Sequence, residues 1–337
     1  MTVMLPHTLN RSRDLVEPAM RAAVARLDPA SRRVAEYHLG WVDADGRPAA
    51  AGGKAVRPAL ALLSARAAGG PAEVGVPGAV AVELVHNFSL LHDDLMDGDV
   101  QRRHRATVWA VWGASTAILV GDAMLALAYQ VLADSPGGHA VAASSLLGTA
   151  TQGLIAGQVE DLAFEQRSSV SVEECVEMAA GKTGALLGCS AAIGAVLAGA
   201  AQPAVGALRR YGEELGLAFQ LVDDLLGIWG DQAATGKPVG SDLRARKKSL
   251  PVAYALESGS PAATELAGWL ATPGPDSDDE VRRAAELVEI AGGRGWAKAE
   301  AVRRLDAASS ALGDADLDPV ARDELVALGR FVVSRES

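Results

Sequence analysis

The chain has 337 residues, 49% of them apolar and 22% charged, and carries a net charge of −11. That apolar share is ample for a packed core in one large domain or two ordinary ones. The acidic balance argues against general nucleic-acid binding but leaves room for a local basic pocket that takes an anionic substrate.

Ala, Leu, Glu and Arg dominate, and apolar residues recur three and four apart almost throughout. In chain order the pattern predicts helices over 11–27, 54–68, 78–97, 112–133, 139–164, 171–200, 203–230, 247–257, 261–270, 278–291, 294–312 and 318–334. Breaks are set by Gly69-Gly70-Pro71, Ser135-Pro136-Gly137-Gly138, Gln202-Pro203 and Thr272-Pro273-Gly274-Pro275. No stretch alternates in the manner of a sheet. Ala185 to Ala201 holds no charge, but it is rich in Ala and Gly and short for a membrane span. It reads as a central helix buried on all sides, and no stable membrane insertion is expected. Cys175 and Cys189 lack zinc-site spacing and are too few for a disulfide framework, so both are expected to be buried thiols. Residues 1–13 show no apolar run of a signal peptide, and the expected location is the cytoplasm. With no long linker and no solenoid repeat, the chain reads as one all-α domain over 1–337, a helical bundle around a central cavity, with a mobile N-terminal segment 1–12.

Two acidic clusters stand inside apolar helices: Asp93-Asp94-Leu95-Met96-Asp97, and Asp223-Asp224. Carboxylates are seldom buried unless paired or bound to metal. Asp93 and Asp97 are four apart and share a helix face, whereas Asp94 is turned about 100° away. Acids on one face repel unless a cation lies between them, and Mg²⁺, bound by one or two carboxylates plus substrate phosphates, suits that arrangement. Asp223 could complete such a site from a second helix. Basic residues surround the acids in sequence: Lys54 and Arg57, Arg102 and Arg103, Lys182, Lys237, Lys247 and Lys248. Lys54 and Arg57 share one face of a helix that opens after Gly52-Gly53, an arrangement suited to an anion. Cations beside metal-binding acids point to a diphosphate.

These residues resemble the trans-isoprenyl diphosphate synthases, the polyprenyl synthetase family, and most of all its actinobacterial geranylgeranyl diphosphate synthases. The resemblance runs over residues 50 to 255, through Gly52–Pro58, His86–Thr107, Gly121-Asp122, Gly157-Gln158 to Asp161, Lys182-Thr183, Phe219–Asp224 and Gly236-Lys237 to Pro251. It implies an isoprenoid synthase fold and a homodimer. It implies up to three Mg²⁺ ions, two held by Asp93 and Asp97 with Asp94 in support, and a third by Asp223 with Asp224 beside it. Arg102, Lys182 and Lys237 would grip the allylic diphosphate. Lys54, Arg57, His86 and Arg103 would grip isopentenyl diphosphate. Thr183 and Gln220 would lie near the reacting carbons, and Lys247 near the mouth. The implied reaction joins isopentenyl diphosphate to a dimethylallyl, geranyl or farnesyl diphosphate.

Two departures matter. Gly227 stands where the second acidic motif of the family usually has a third Asp, and Ala55-Val56 stand where Arg-Leu is usual. Asp231, one turn later, is a candidate to compensate for the missing acid, but it reads more readily as a loop cap. Phe88, five before Asp93, would form a floor below the metals with Ser89 beside it, a pattern that accompanies a C20 product in the family. A class I terpene cyclase on the same scaffold would not need Lys54, Arg57 and Arg103 together, and would favour aromatic walls. Only 4% of this chain is aromatic. A non-catalytic subunit of a heteromeric synthase would not need Asp93, Asp97 and Asp223 intact.

Overall fold

The computed structural model describes residues 4–49, 55–230, 239–272, 274, 277–313 and 315–334. The described chain is all-α, as the sequence predicts, apart from a hairpin of two-residue strands and an isolated bridge between Val42 and Pro48. Its longer helices are Met4–Val24, Pro29–His38, Val56–Ala67, Val76–Met96, Ala114–Ala133, Ala140–Glu165, Ala185–Leu197, Gln202–Trp229, Pro261–Ala271, Asp278–Ile290, Gly293–Ala311 and Pro319–Val333.

Local chemistry sets many of the boundaries. Ser171 and Ser277 each open a helix with a reciprocal capping box, closed by Glu174 and Glu280. Ser260 caps Ala263 N ahead of Pro261, which starts its helix where a missing N–H costs nothing. The Pro29–His38 helix is absent from the sequence expectation, although its signal is present. The Asp28 carboxylate accepts from Ala30 N and Ser31 N, and Pro29 follows it. The segment expected as one helix over 171–200 is Val172–Ala179, a π-helical turn at Ala180–Gly184, then Ala185–Leu197.

The chain forms two compact units. The first comprises residues 1–151, 189–209 and 314–327; the second comprises 152–188, 210–313 and 328–337. In the first, the Val76–Met96 helix packs along Ala114–Ala133 and Val56–Ala67, with Leu60, Leu63, Leu84, Leu91 and Met124 fully buried. In the second, one core joins Phe164, Cys175, Leu217, Leu221 and Leu250, and another joins Ile228, Leu243, Leu266, Val281 and Leu287. Both cysteines are buried thiols as expected, and burial pushes the Cys175 thiol up to about 12.

Three helical stretches, 72–96, 114–133 and 172–197, are long and apolar enough to cross a membrane by length and composition. Their apolar windows are 67%, 39% and 72% buried, so the 114–133 stretch is the least covered of the three.

Candidate active site

In the first unit the Val76–Met96 helix ends on acids. Its last turn holds Asp93 and Asp94, Asp97 caps it, and that turn contains no basic residue of its own. Carboxylates at a helix C-terminus oppose its dipole, so this placement costs stability and needs a compensating cation. Asp97 N–H donates to Asp93 O at 2.8 Å, which sets the two residues one turn apart. Asp93 is half-buried and Asp97 exposed. Asp94 turns the other way: it is 2% exposed and accepts from Arg102 Nε at 2.6 Å. Burial raises the Asp94 pKa, and the Arg102 guanidinium draws it back.

Arg102 sits in a hairpin that pairs Gln101 with Ala106 and Arg102 with Arg105. Its two turn residues, Arg103 and His104, have φ of 52° and 61°. Such turns normally carry Asn and Gly, so the chain bears backbone strain to hold a run of basic side chains here.

Arg57 and His86 belong to the same unit. Burial lowers the His86 pKa well below the usual range, and Arg57 and Arg103 add to this, so the ring is neutral at pH 7. The Glu83 carboxyl is raised by burial and pulled down by Arg57. Asn87 Nδ2 donates to Glu83 O at 2.8 Å and to its Oε1 at 3.3 Å. Arg57 Nε is buried with no hydrogen-bond partner. Phe88 is buried edge-on against His92, ring centroids 4.8 Å apart, and Ser89 Oγ donates to His86 O at 2.9 Å.

The second unit holds the other set. Lys182 lies in the π-helical turn, a feature often found at functional sites, and its Nζ donates to Asp161 Oδ2 at 2.5 Å. Gly157 allows that approach, because a Cβ there would stand 2.7 Å from Met178 O and 2.9 Å from Lys182 Cα. Thr183 Oγ1 donates to Gln220 Oε1 at 2.8 Å, and Gln220 Nε2 donates to Asp224 Oδ1 at 2.8 Å. Asp224 Oδ2 accepts from Leu250 N at 2.9 Å, so a side chain from another helix caps Leu250–Glu257. Burial, then Asp242 and Asp223 as like charges, raise the Asp224 pKa to about 8. Asp223 is exposed and Lys247 half-buried. Each acidic pair therefore divides into one outward acid, Asp93 or Asp223, and one acid anchored inside, Asp94 or Asp224.

Gly227 lies against the Asp242 side chain. A Cβ on it would collide with the Asp242 carboxylate and stand 2.8 Å from Asp242 Oδ1. Asp242 therefore places negative charge one turn beyond Asp223, on the ground a third Asp would have used. Sequence reasoning passed over Asp242 and Glu83, and gave Asp161 no role. The signal for Asp242 was Gly227 itself, since a missing acid invites a search for its replacement. Lys54, Lys237 and Asp231 lie outside the described residues.

The donor set suits Mg²⁺, which prefers hard carboxylate oxygens and keeps waters and substrate phosphates in its shell. Among the described residues no three His, Cys, Asp or Glu side chains converge to hold an ion unaided. The buried Arg57 Nε and both amide ends of Gln158, all without partners, are further groups that a bound anion or water would satisfy.

A family model described as polyprenyl synthetase matches residues 46–288. The chain is 50% identical over 333 residues to a (2E,6E)-farnesyl diphosphate synthase of Mycobacterium tuberculosis, covering 98% of this chain and 93% of the relative. It is 47% identical to a geranylgeranyl diphosphate synthase of the same organism, covering 97% and 93%. A polyprenyl synthetase crystal structure from Streptomyces coelicolor A3(2) is similar with a TM-score of 0.94 and 55% identity, covering 98% of this chain and 99% of that one.

Proposed function

We propose that this chain, which belongs to the polyprenyl synthetase family, extends allylic diphosphates with isopentenyl diphosphate as far as the all-trans C20 product, geranylgeranyl diphosphate. As a family member it is a trans-prenyltransferase acting on isopentenyl and allylic diphosphates. Mg²⁺, up to three ions held by Asp93, Asp97 and Asp223, would supply charge stabilisation to the departing diphosphate. Arg102, Lys182 and Lys237 bind the allylic diphosphate; Lys54, Arg57, His86 and Arg103 bind isopentenyl diphosphate.

The ion pairs Arg102–Asp94 and Lys182–Asp161 hold two of these cations in place before substrate arrives. A neutral His86 donates one hydrogen bond to a phosphate oxygen without adding a charge. The Asp224–Gln220–Thr183 chain fixes the amide and hydroxyl near the reacting carbons. The double bond of isopentenyl diphosphate attacks the allylic carbon as its C–O bond breaks, and the proton then lost passes to the released diphosphate. Lys247 guards the mouth. Apolar helix walls exclude the water that would trap an allylic cation.

The observation that carries the C20 reading is Phe88, buried one turn or so below Asp93 with the small Ser89 beside it. A C15 product is the second reading, favoured by the 50% identity to a farnesyl diphosphate synthase. Chromatography of dephosphorylated products from each allylic primer with isopentenyl diphosphate and Mg²⁺ distinguishes them. Wild type should stop at C20, and Phe88→Ala should run longer. A C15 end point sinks the C20 reading, and an unchanged length in Phe88→Ala removes Phe88 from the floor.

The apolar face of Ala114–Ala133 supports a homodimer. Buried thiols at Cys175 and Cys189 suit a reducing cytoplasm, and cell fractionation tests that location.

A further inference from the structure

The first unit holds a cavity of about 130 Å³ that the reaction does not use as a whole. It lies among the end of Pro29–His38, the Val76–Met96 helix and the Gln101–Ala106 hairpin, and Tyr37, His38, Asn87, Arg102, Arg103 and Arg105 help line it. Its volume is about ten times what one buried water needs, enough for a tetrahedral anion.

Three features of the lining point to a ligand. First, His38 Nε2 is buried and makes no hydrogen bond, although nearly all buried polar atoms in folded proteins are paired. Second, the charges are lopsided. Among the described residues that line it there are three arginines, Arg102, Arg103 and Arg105, and one carboxylate, Asp94, which Arg102 engages. Third, Arg105 is held rigidly. One amino group donates to Val42 O at 2.6 Å, and its guanidinium lies 4.3 Å over the Tyr37 ring, itself fixed by a 2.8 Å bond from its hydroxyl to Ala106 O. A guanidinium has five donors, so Arg105 keeps several for a ligand.

We propose that this cavity is an oxyanion site for a single phosphate-type group, recognised by His38 Nε2 and the guanidinium group of Arg105. The same surroundings explain why the imidazole stays neutral without a ligand. Burial and then Arg102 and Arg103 hold the His38 pKa down to about 3, against an upward pull from a side-chain hydrogen bond between the ring and Asn87. A bound anion offsets those cations and lets Nε2 donate. The site rests on the proposed function only in that Arg103, in its wall, serves isopentenyl diphosphate; the reaction employs neither His38 nor Arg105.

Two sources offer the same chemistry: inorganic phosphate in solution, or the terminal phosphate of isopentenyl diphosphate. The test is a ¹⁵N-histidine NMR titration of the full chain without Mg²⁺, with His38→Gln used to assign its ring. Inorganic phosphate should shift the His38 ring nitrogens saturably, and the shift should persist when isopentenyl diphosphate is saturating. Isopentenyl diphosphate producing the shift alone, with phosphate adding nothing, would assign the cavity to the substrate and overturn a separate site. No shift with either ligand overturns the proposal. Because His38→Gln could fail to fold, equilibrium dialysis with radiolabelled phosphate on wild type and Arg105→Gln gives an independent reading. One fewer phosphate bound per chain supports the site; unchanged stoichiometry rejects it.

Discussion

At the scale of single residues, the chain separates acids that meet solvent from acids that hold the scaffold. Asp223 is exposed, while its neighbour Asp224 is bonded at both oxygens inside the second unit. The Gly227–Asp242 contact gives a direct test of how that acidic face is built. Gly227→Asp alone should destabilise by about 1–3 kcal/mol, the usual cost of overpacking. Adding Asp242→Gly should recover most of the loss, because the carboxylate is then supplied from the helix instead. Urea midpoints of the two single variants and the double variant measure this, and additive losses would show that the two positions do not share one space. His38 supplies a second prediction. Its folded pKa of about 3 lies below the ordinary 6.5, so the unfolded chain binds the extra proton. The associated stability is therefore intact above pH 6.5 and drains as pH falls from 6.5 towards 3. By pH 5 the loss is about 2 kcal/mol at 1.36 kcal/mol per unit. Denaturation at pH 7 and pH 5 should show that extra loss in wild type and not in His38→Gln.

At the scale of elements, periodicity found most of the long helices because an apolar stripe is written directly into the residue order. Several shorter elements escaped it, and two of them bear on the site. Pro29–His38 is marked by its cap more than by its apolar pattern. The hairpin at 101–106 has two-residue strands and a turn of Arg103 and His104, residues that ordinarily argue against such a turn. What holds it is tertiary: Arg102 on Asp94, Arg105 on Val42 and Tyr37, and Thr107 Oγ1 on Asp99 O. The Ala114–Ala133 helix has the reverse character, regular but only part-covered. Ile118 is 44% and Leu119 65% exposed on the face that also shows Asp122 and Ala126. A second copy of the chain is the proposed cover. Leu119→Glu should shift the dimer towards monomer by at least tenfold in dissociation constant. Light scattering across a dilution series reads it; a wild type already monomeric at high concentration would remove the dimer from the proposal.

At the scale of the whole molecule, the residues assigned to one reaction are shared between two compact units. Asp93, Asp97, Arg57, His86, Arg102 and Arg103 belong to the first; Lys182, Thr183, Gln220, Asp223 and Lys247 belong to the second. If both sets serve one transition state, their losses should not add. Asp93→Asn and Asp223→Asn should each lower kcat/KM by more than about a hundredfold, the loss expected when one electrostatic stabiliser is removed. The double variant should fall well short of the product of the two losses. Steady-state kinetics with isopentenyl and allylic diphosphates measures this, and fully multiplicative losses would mean that the two acids act in separate steps.

The residue order alone determined the all-α class, the buried thiols and the two acidic clusters, since each depends on composition, period or spacing along the chain, and its motifs carried the resemblance to the family. Phe88 could be placed relative to Asp93 by counting along one helix. Only the tertiary structure decided what holds the inward acid of each pair, because that depends on what packs behind the helix: Arg102 behind Asp94, and Gln220 with Leu250 N behind Asp224. Nor could spacing reveal that Asp242 comes to rest on Gly227, or that His38 meets three arginines in one cavity. Those encounters join residues far apart in sequence, and folding brings them together through core packing that no local pattern encodes.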